Sequence, residues 1–179
     1  GVEKVTKDSV VLSTGEVLES RFTMLMVPFS GVDCIANSPK LKTPENFFIP
    51  TKPSYQHETY DNIWGAGLAV DVKPPFTPGA VPFGSPKTGY PSDTTGKIVA
   101  NNVVKALKGR TDFKEKPWGK IPGVCIMDAG HKEILLLSNT LFKPRIFAIM
   151  IPNVFNDFSK VILEKYFLWK LRHGFSYLP

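Results

Sequence analysis

Val81-Pro-Phe-Gly-Ser-Pro-Lys-Thr-Gly-Tyr-Pro91 places three prolines and two glycines in one short stretch that runs into Ser92. Proline fixes φ and removes an N–H, while glycine lets a backbone approach another group closely, so the stretch predicts a stiff loop that holds something. Ser92 is a good helix cap, and a helix is expected to start there. Downstream, Val99, Ala100, Val103, Ala106 and Leu107 follow helical spacing, and Lys97, Asn101, Lys105 and Lys108 lie off that face. Gly109 supplies the stop, giving a helix from Ser92 to Lys108. Upstream, Asn62-Ile-Trp-Gly-Ala-Gly-Leu-Ala-Val70 reads as a strand from Ile63 to Val70 whose tip carries Gly65 and Gly67. Those glycines mark either close contact with a ligand or a strand end packed under a helix.

Elsewhere the pattern is of short strands and one more helix. Val10, Val11 and Leu12 precede Ser13-Thr-Gly15, and Val17 and Leu18 follow it, which predicts a hairpin within residues 2–19. Phe22-Thr-Met-Leu-Met-Val-Pro28 is a continuous apolar run of strand length, expected to be buried on both faces and ended by Pro28. Residues 37–60 read as loop, a brief strand at Phe47-Phe-Ile49, then loop again. A second hairpin is expected from Gly123-Val-Cys-Ile-Met127 and Glu133-Ile-Leu-Leu-Leu137, joined by Asp128-Ala-Gly-His-Lys132. Phe147 to Ile151 reads as another strand, and Asn156 to His173 as a helix capped by Asn156 or Asp157 and stopped by Gly174.

A chain of 179 residues with 42% hydrophobic residues can bury a real core. It opens on Gly1 without an initiator Met and holds no complete nucleotide-binding βαβ unit, so it is read as a piece of a longer protein. The net charge of +6 suits an anionic partner, either nucleic acid or a lipid surface. The lysines are scattered, without a Lys/Arg run or zinc-finger spacing, so nucleic acid is not the expected partner. Two cysteines, Cys34 and Cys125, are too few for a disulfide scaffold and point to a reducing cytosolic setting, with a bond between the two left open. His57, His131 and His173 share no metal-ligand spacing, and no metal site is expected.

Three features admit two readings each. Cys125, between Val124 and Ile126, is either a small core hydrophobe or a reactive thiol. Lys87 is either solvated at a turn or a cation aimed at a bound group beside a helix N-terminus. In the last helix Phe158, Ile162, Tyr166 and Trp169 share a face, with Leu163, Phe167, Leu168 and Leu171 off it and Lys160, Lys165, Lys170 and Arg172 spread between. That mixture suits a membrane headgroup region or a core helix.

Taken together, Asn62–Val70, Pro86-Lys-Thr-Gly-Tyr90, Trp118-Gly-Lys-Ile-Pro-Gly-Val-Cys-Ile-Met-Asp128 and Glu164-Lys-Tyr-Phe167 resemble the C-terminal part of sulfide:quinone oxidoreductases. These are membrane-bound FAD-dependent flavoproteins of the pyridine nucleotide-disulfide oxidoreductase superfamily. The superfamily generally has Asp after the strand-tip glycine. Here Leu68 follows Gly67, and an apolar residue at that place is similar to sulfide:quinone oxidoreductases rather than to the NADH dehydrogenases.

The resemblance implies an α/β fold, α+β in isolation. It would be a partial FAD/NAD(P)-binding, disulfide-reductase-like fold with β-hairpins, one central helix and a C-terminal amphipathic helix. It implies a division into residues 1–33, the end of a second nucleotide-type domain; 34–110, the second half of an FAD domain with the flavin and quinone loop; 111–152, a β-hairpin region with the redox cysteine; and 153–179, a membrane-docking helix. Cys125 would be catalytic, carrying sulfur as a persulfide, while Cys34 stays structural. Gly67, Leu68, Lys87 and Thr88 would contact FAD, and Gly89, Tyr90, Ile126 and Leu163 would border the quinone pocket. The implied partners are sulfide, quinone, a membrane surface on the cytoplasmic side, the N-terminal part of the same protein, and further copies in a homo-oligomer. The glycine-rich pyrophosphate loop is absent from these residues, so alone they are expected to bind FAD poorly and to lack turnover. Two alternatives remain: the flavin subunit of a sulfide dehydrogenase donating to a cytochrome, and a non-catalytic membrane or partner-binding domain.

Overall fold

The computed structural model describes residues 1–25, 30–42, 47–73, 88–128, 133–153 and 156–178 of the chain. It is a mixed α/β arrangement with two small antiparallel sheets and few helices, in agreement with the expected class. The first sheet is a meander of β1 (Val2–Val5), β2 (Ser9–Leu12) and β3 (Val17–Glu19). Its second turn contains Gly15 at φ +85, where a side chain would be strained, so the expected hairpin falls where the glycine demands it. A short helix, α1 (Asp33–Ala36), follows and carries Cys34, exposed on the surface.

Phe22 to Leu25 differ from expectation. They form no strand, and Phe22 is 85% exposed. A strand buried on both faces needs paired neighbours and covering helices, and the described residues provide neither for this run. Met26 to Pro28 lie outside the described residues.

Residues 47–73 are organised by isolated bridges rather than a sheet: Ile49 pairs with Val70 in parallel, Thr51 with His57, and Gln56 with Trp64. The predicted strand over Ile63–Val70 is broken, because Gly67–Ala69 tighten into a 3₁₀ turn with Gly67 at φ +61. His57, almost wholly buried, satisfies this irregular backbone by accepting the N–H groups of Thr59 and Tyr60 on Nδ1 at 3.0 and 3.2 Å.

The long helix α2 spans Gly89–Leu107 and ends at Lys108 and Gly109, the latter at φ +71, as its sequence predicts. Its start lies earlier than Ser92, with Thr88 as the flanking residue and Pro91 inside the first turn, where the missing N–H costs no helical bond. The buried stripe also differs from the apolar set: Pro91, Thr95, Ile98 and Asn102 face inward, whereas Leu107 is 83% exposed. Polar residues hold the inward positions because their atoms bind backbone. Asn102 donates to the carbonyls of Ser54 (3.0 Å) and Lys114 (2.9 Å) and accepts the Lys114 N–H at 2.8 Å. The helix thereby holds two loops that lack ladders of their own.

The second sheet joins β4 (Gly123–Asp128), β5 (Glu133–Ser138) and β6 (Ala148–Asn153), with β5 central. The expected turn at residues 129–132, with His131, lies outside the described residues. The core, Tyr55, Val70, Ile98, Trp118, Ile121 and Phe142, fills the space between α2, the bridged segment and the loops flanking this sheet. Last comes α3 (Asn156–Arg172), followed by Gly174 at φ +74.

Asn102→Ala strips partners from one buried N–H and two carbonyls. It should lower unfolding free energy by about 2–3 kcal/mol in denaturant titrations. Tyr55, whose hydroxyl donates to the Lys116 carbonyl at 2.6 Å, has its phenol pushed up from 10.0 to about 12 by burial. Because the unfolded phenol ionises first, stability is whole below pH 10 and falls as pH rises towards 12, and Tyr55→Phe should remove that part of the alkaline loss in pH-dependent unfolding curves.

Candidate functional site

Two turns distant in sequence are locked together at the start of α2. The Gly67 N–H donates to the Thr95 hydroxyl at 2.8 Å, and that hydroxyl donates onward to the Pro91 carbonyl at 2.9 Å. Thr95 has no solvent exposure, so the relay is protected from competing water. A Cβ on Gly67 would meet Ser92 Oγ at 3.1 Å and Ser92 Cβ at 3.2 Å. The glycine packs tightly under the helix at Ser92.

This lock sets Gly67 against Ser92, early in the helix that opens with Gly89 and Tyr90; Gly67, Leu68, Thr88, Gly89 and Tyr90 were all expected to bind the cofactor or border the quinone pocket. Leu68 is 38% exposed, Gly89 and Tyr90 are exposed, and a Cβ on Gly89 would meet nothing within 4 Å among the described residues. Thr88 makes no side-chain capping bond to the helix. By helix geometry the amides of Gly89 and Tyr90 have no intrahelical acceptor, and they sit at the positive end of a 19-residue helix. Lys87 and the proline loop before it lie outside the described residues.

Cys125 sits mid-strand in β4, half-buried and free, opposite Leu136 of β5, which in turn faces Met150 of β6. Strand β4 packs against α2. Successive side chains alternate across a sheet, so Ile126 points to the face opposite Cys125, in the row with Leu135 and Ile151. Glu133 shares that second face, and its carboxylate holds Lys160 of α3 at 2.6 Å. Leu163, one turn beyond Lys160, is exposed. The structure thus groups Ile126 with the face on which α3 is tethered and sets Cys125 on the other.

The far end of α3 is anchored by a cluster that sequence reading missed. Lys170 is 1% exposed; its ammonium lies 3.8 Å from Asp93, donates to the Leu178 carbonyl at 3.1 Å and stands 4.3 Å from the centre of the Phe167 ring. Asp93 also pairs with Lys97 at 2.8 Å, and Lys97 donates to the same Leu178 carbonyl. The i,i+4 spacing of Asp93 and Lys97 is the only sequence signal of this cluster. The outer side of α3 leaves Phe158, Ile162, Leu168 and Leu171 exposed. No helix among the described residues is long and apolar enough to cross a membrane.

Gly67→Ala combines a left-handed backbone with a tight approach to Ser92, and it should cost about 1–2 kcal/mol in denaturant unfolding. Gly89→Ala, helical and with open space around it among the described residues, should raise stability by up to about 1 kcal/mol in the same curve.

No family model matches the chain. It is 31% identical over 173 residues to a sulfide-quinone reductase of Aquifex aeolicus (strain VF5), a match that covers 96% of this chain and 39% of that protein. The X-ray structure of the sulfide:quinone oxidoreductase from the same hyperthermophilic bacterium superposes with a TM-score of 0.83 at 28% identity, over 97% of this chain and 41% of that one. The chain thus spans about two-fifths of the length of the relatives it matches. Sequence and fold agree that it resembles, over nearly all its residues, the C-terminal part of a sulfide:quinone oxidoreductase.

Proposed function

We propose that the chain forms the flavin- and quinone-facing part of a membrane-associated oxidoreductase that oxidises sulfide and reduces quinone. The observation that carries this reading is the Gly67 turn locked onto the start of α2 in a chain so similar to a sulfide-quinone reductase. Overall, sulfide gives up two electrons and is left as zero-valent sulfur on a cysteine, while quinone takes up two electrons and two protons.

The residues present fit FAD. Free amides and a helix N-terminus favour a group that gains negative charge, and Gly89 leaves room for a flat ring to approach. When bound, FAD supplies two-electron redox chemistry between a sulfur donor and a quinone acceptor. Gly67, Leu68 and Thr88 would hold it together with Lys87, whose charge would favour the reduced ring. Gly89 and Tyr90 would edge the quinone site, with Ile126 and Leu163 on the α3 side. Cys125 would carry the sulfur, a task that needs a polarisable nucleophile able to form and release a persulfide. The exposed aromatic and aliphatic side of α3, with its interspersed lysines, would rest in the headgroup region.

In the intact protein, Cys125→Ser should cut sulfide-dependent quinone reduction by about 1,000-fold or more, the scale of losing a covalent nucleophile, while the flavin content stays the same. Wild-type turnover in that variant would point to another donor or to an inert thiol. Equal rates with a soluble cytochrome in place of quinone would move the reading to the cytochrome-linked sulfide dehydrogenase.

A further inference from the structure

A cleft of about 690 Å³ opens among residues 50–58, 70–73, 117–120 and 140–144. None of Gly67, Leu68, Thr88, Gly89, Tyr90 or Cys125 lines it, so it stands apart from the site described above. Its volume falls in the range of small-molecule sites. Tyr55, Val70, Trp118 and Phe142 form its floor, all members of the buried core and therefore rigidly placed. A cleft with an apolar, aromatic floor binds a flat hydrophobic body by removing both surfaces from water.

The rim adds charge selectivity. Lys52, Lys73, Lys120 and Lys143 surround the opening, against Glu58 and Asp71. Lys52 is occupied by Asp61 at 3.5 Å and Lys73 by Asp71 at 4.0 Å. Lys120 and Lys143 are exposed and have no carboxylate within ion-pair distance among the described residues. The indole Nε1–H of Trp118 is itself buried and has no hydrogen-bond partner. A buried donor without an acceptor is costly and calls for an explanation.

The geometry points to this cleft as a second binding site, for a small aromatic carboxylate. Its ring lies on the Tyr55, Trp118 and Phe142 floor and its charge meets Lys120 and Lys143. The assignment does not depend on the flavin and quinone reading.

Fluorine NMR of the intact protein labelled with 5-fluorotryptophan tests it, with the Trp118 resonance identified by its loss in Trp118→Phe. 1-Naphthoate should shift that resonance saturably, and the neutral 1-naphthalenemethanol should bind about fivefold more weakly. Lys120→Glu combined with Lys143→Glu should weaken naphthoate by about tenfold and leave the alcohol's affinity unchanged. Isothermal titration gives the same comparison without a substitution at Trp118. An unmoved Trp118 resonance at millimolar naphthoate, or equal affinity for acid and alcohol, would overturn the assignment.

Discussion

The Thr95 hydroxyl ties the irregular part of the chain to helix α2. Much of the described stretch between β3 and α2 makes neither helix nor sheet, yet buried N–H and carbonyl groups need partners wherever the backbone runs. Helix α2 supplies them from side chains: Thr95 receives the Gly67 amide, and Asn102 binds Ser54 and both backbone groups of Lys114. A leucine at either place would bury more apolar surface and leave those loops without acceptors or donors. The helix acts as a rail on which the Gly67 turn, the Tyr55 segment and the 111–117 stretch are hung. The candidate site lies where one of those attachments, the Gly67–Thr95 bond, meets the start of the helix.

Local rules explain which parts of this arrangement can be read from residues alone. Gly15, Gly109 and Gly174 each take positive φ at a turn or helix end, so their punctuation is legible without knowledge of the fold. The β4–β5 pairing is legible as well, because Val124 to Met127 and Ile134 to Leu137 are strand-length runs separated by Asp and Gly. The inward stripe of α2 is not, since hydropathy ranks Thr95 and Asn102 below Val104 and Leu107 and contains no term for backbone partners. The broken strand before Val70 fails for a related reason: Gly67 takes its left-handed turn to fit Ser92, a residue that local pattern cannot bring near. At the site, motif resemblance singles out Gly67, Thr88 and Gly89, and the structure places Gly67 against Ser92 of α2. Strand alternation, which is also readable, separates Cys125 from Ile126 once the sheet is known to be covered by different elements on its two sides.

Lys170 shows how a single buried charge can orient an otherwise slippery helix. Burying an ammonium is expensive, and here the cost is offset by Asp93, the Leu178 carbonyl and the faces of Phe167 and Tyr166. Apolar packing alone would tolerate several rotations of α3, because Ile162, Leu163, Leu168 and Leu171 are nearly interchangeable in size. The ion pair admits only one. With Lys170 turned in to α2 and Lys160 tied to Glu133, both ends of the helix are pinned by polar contacts, and the remaining apolar side chains have no choice but to face outward. An outward apolar face fixed by charges is a surface with a set direction relative to the first turn of α2, since Asp93 belongs to that turn's immediate continuation. The exposed side of α3 is therefore held at a constant orientation to the start of α2.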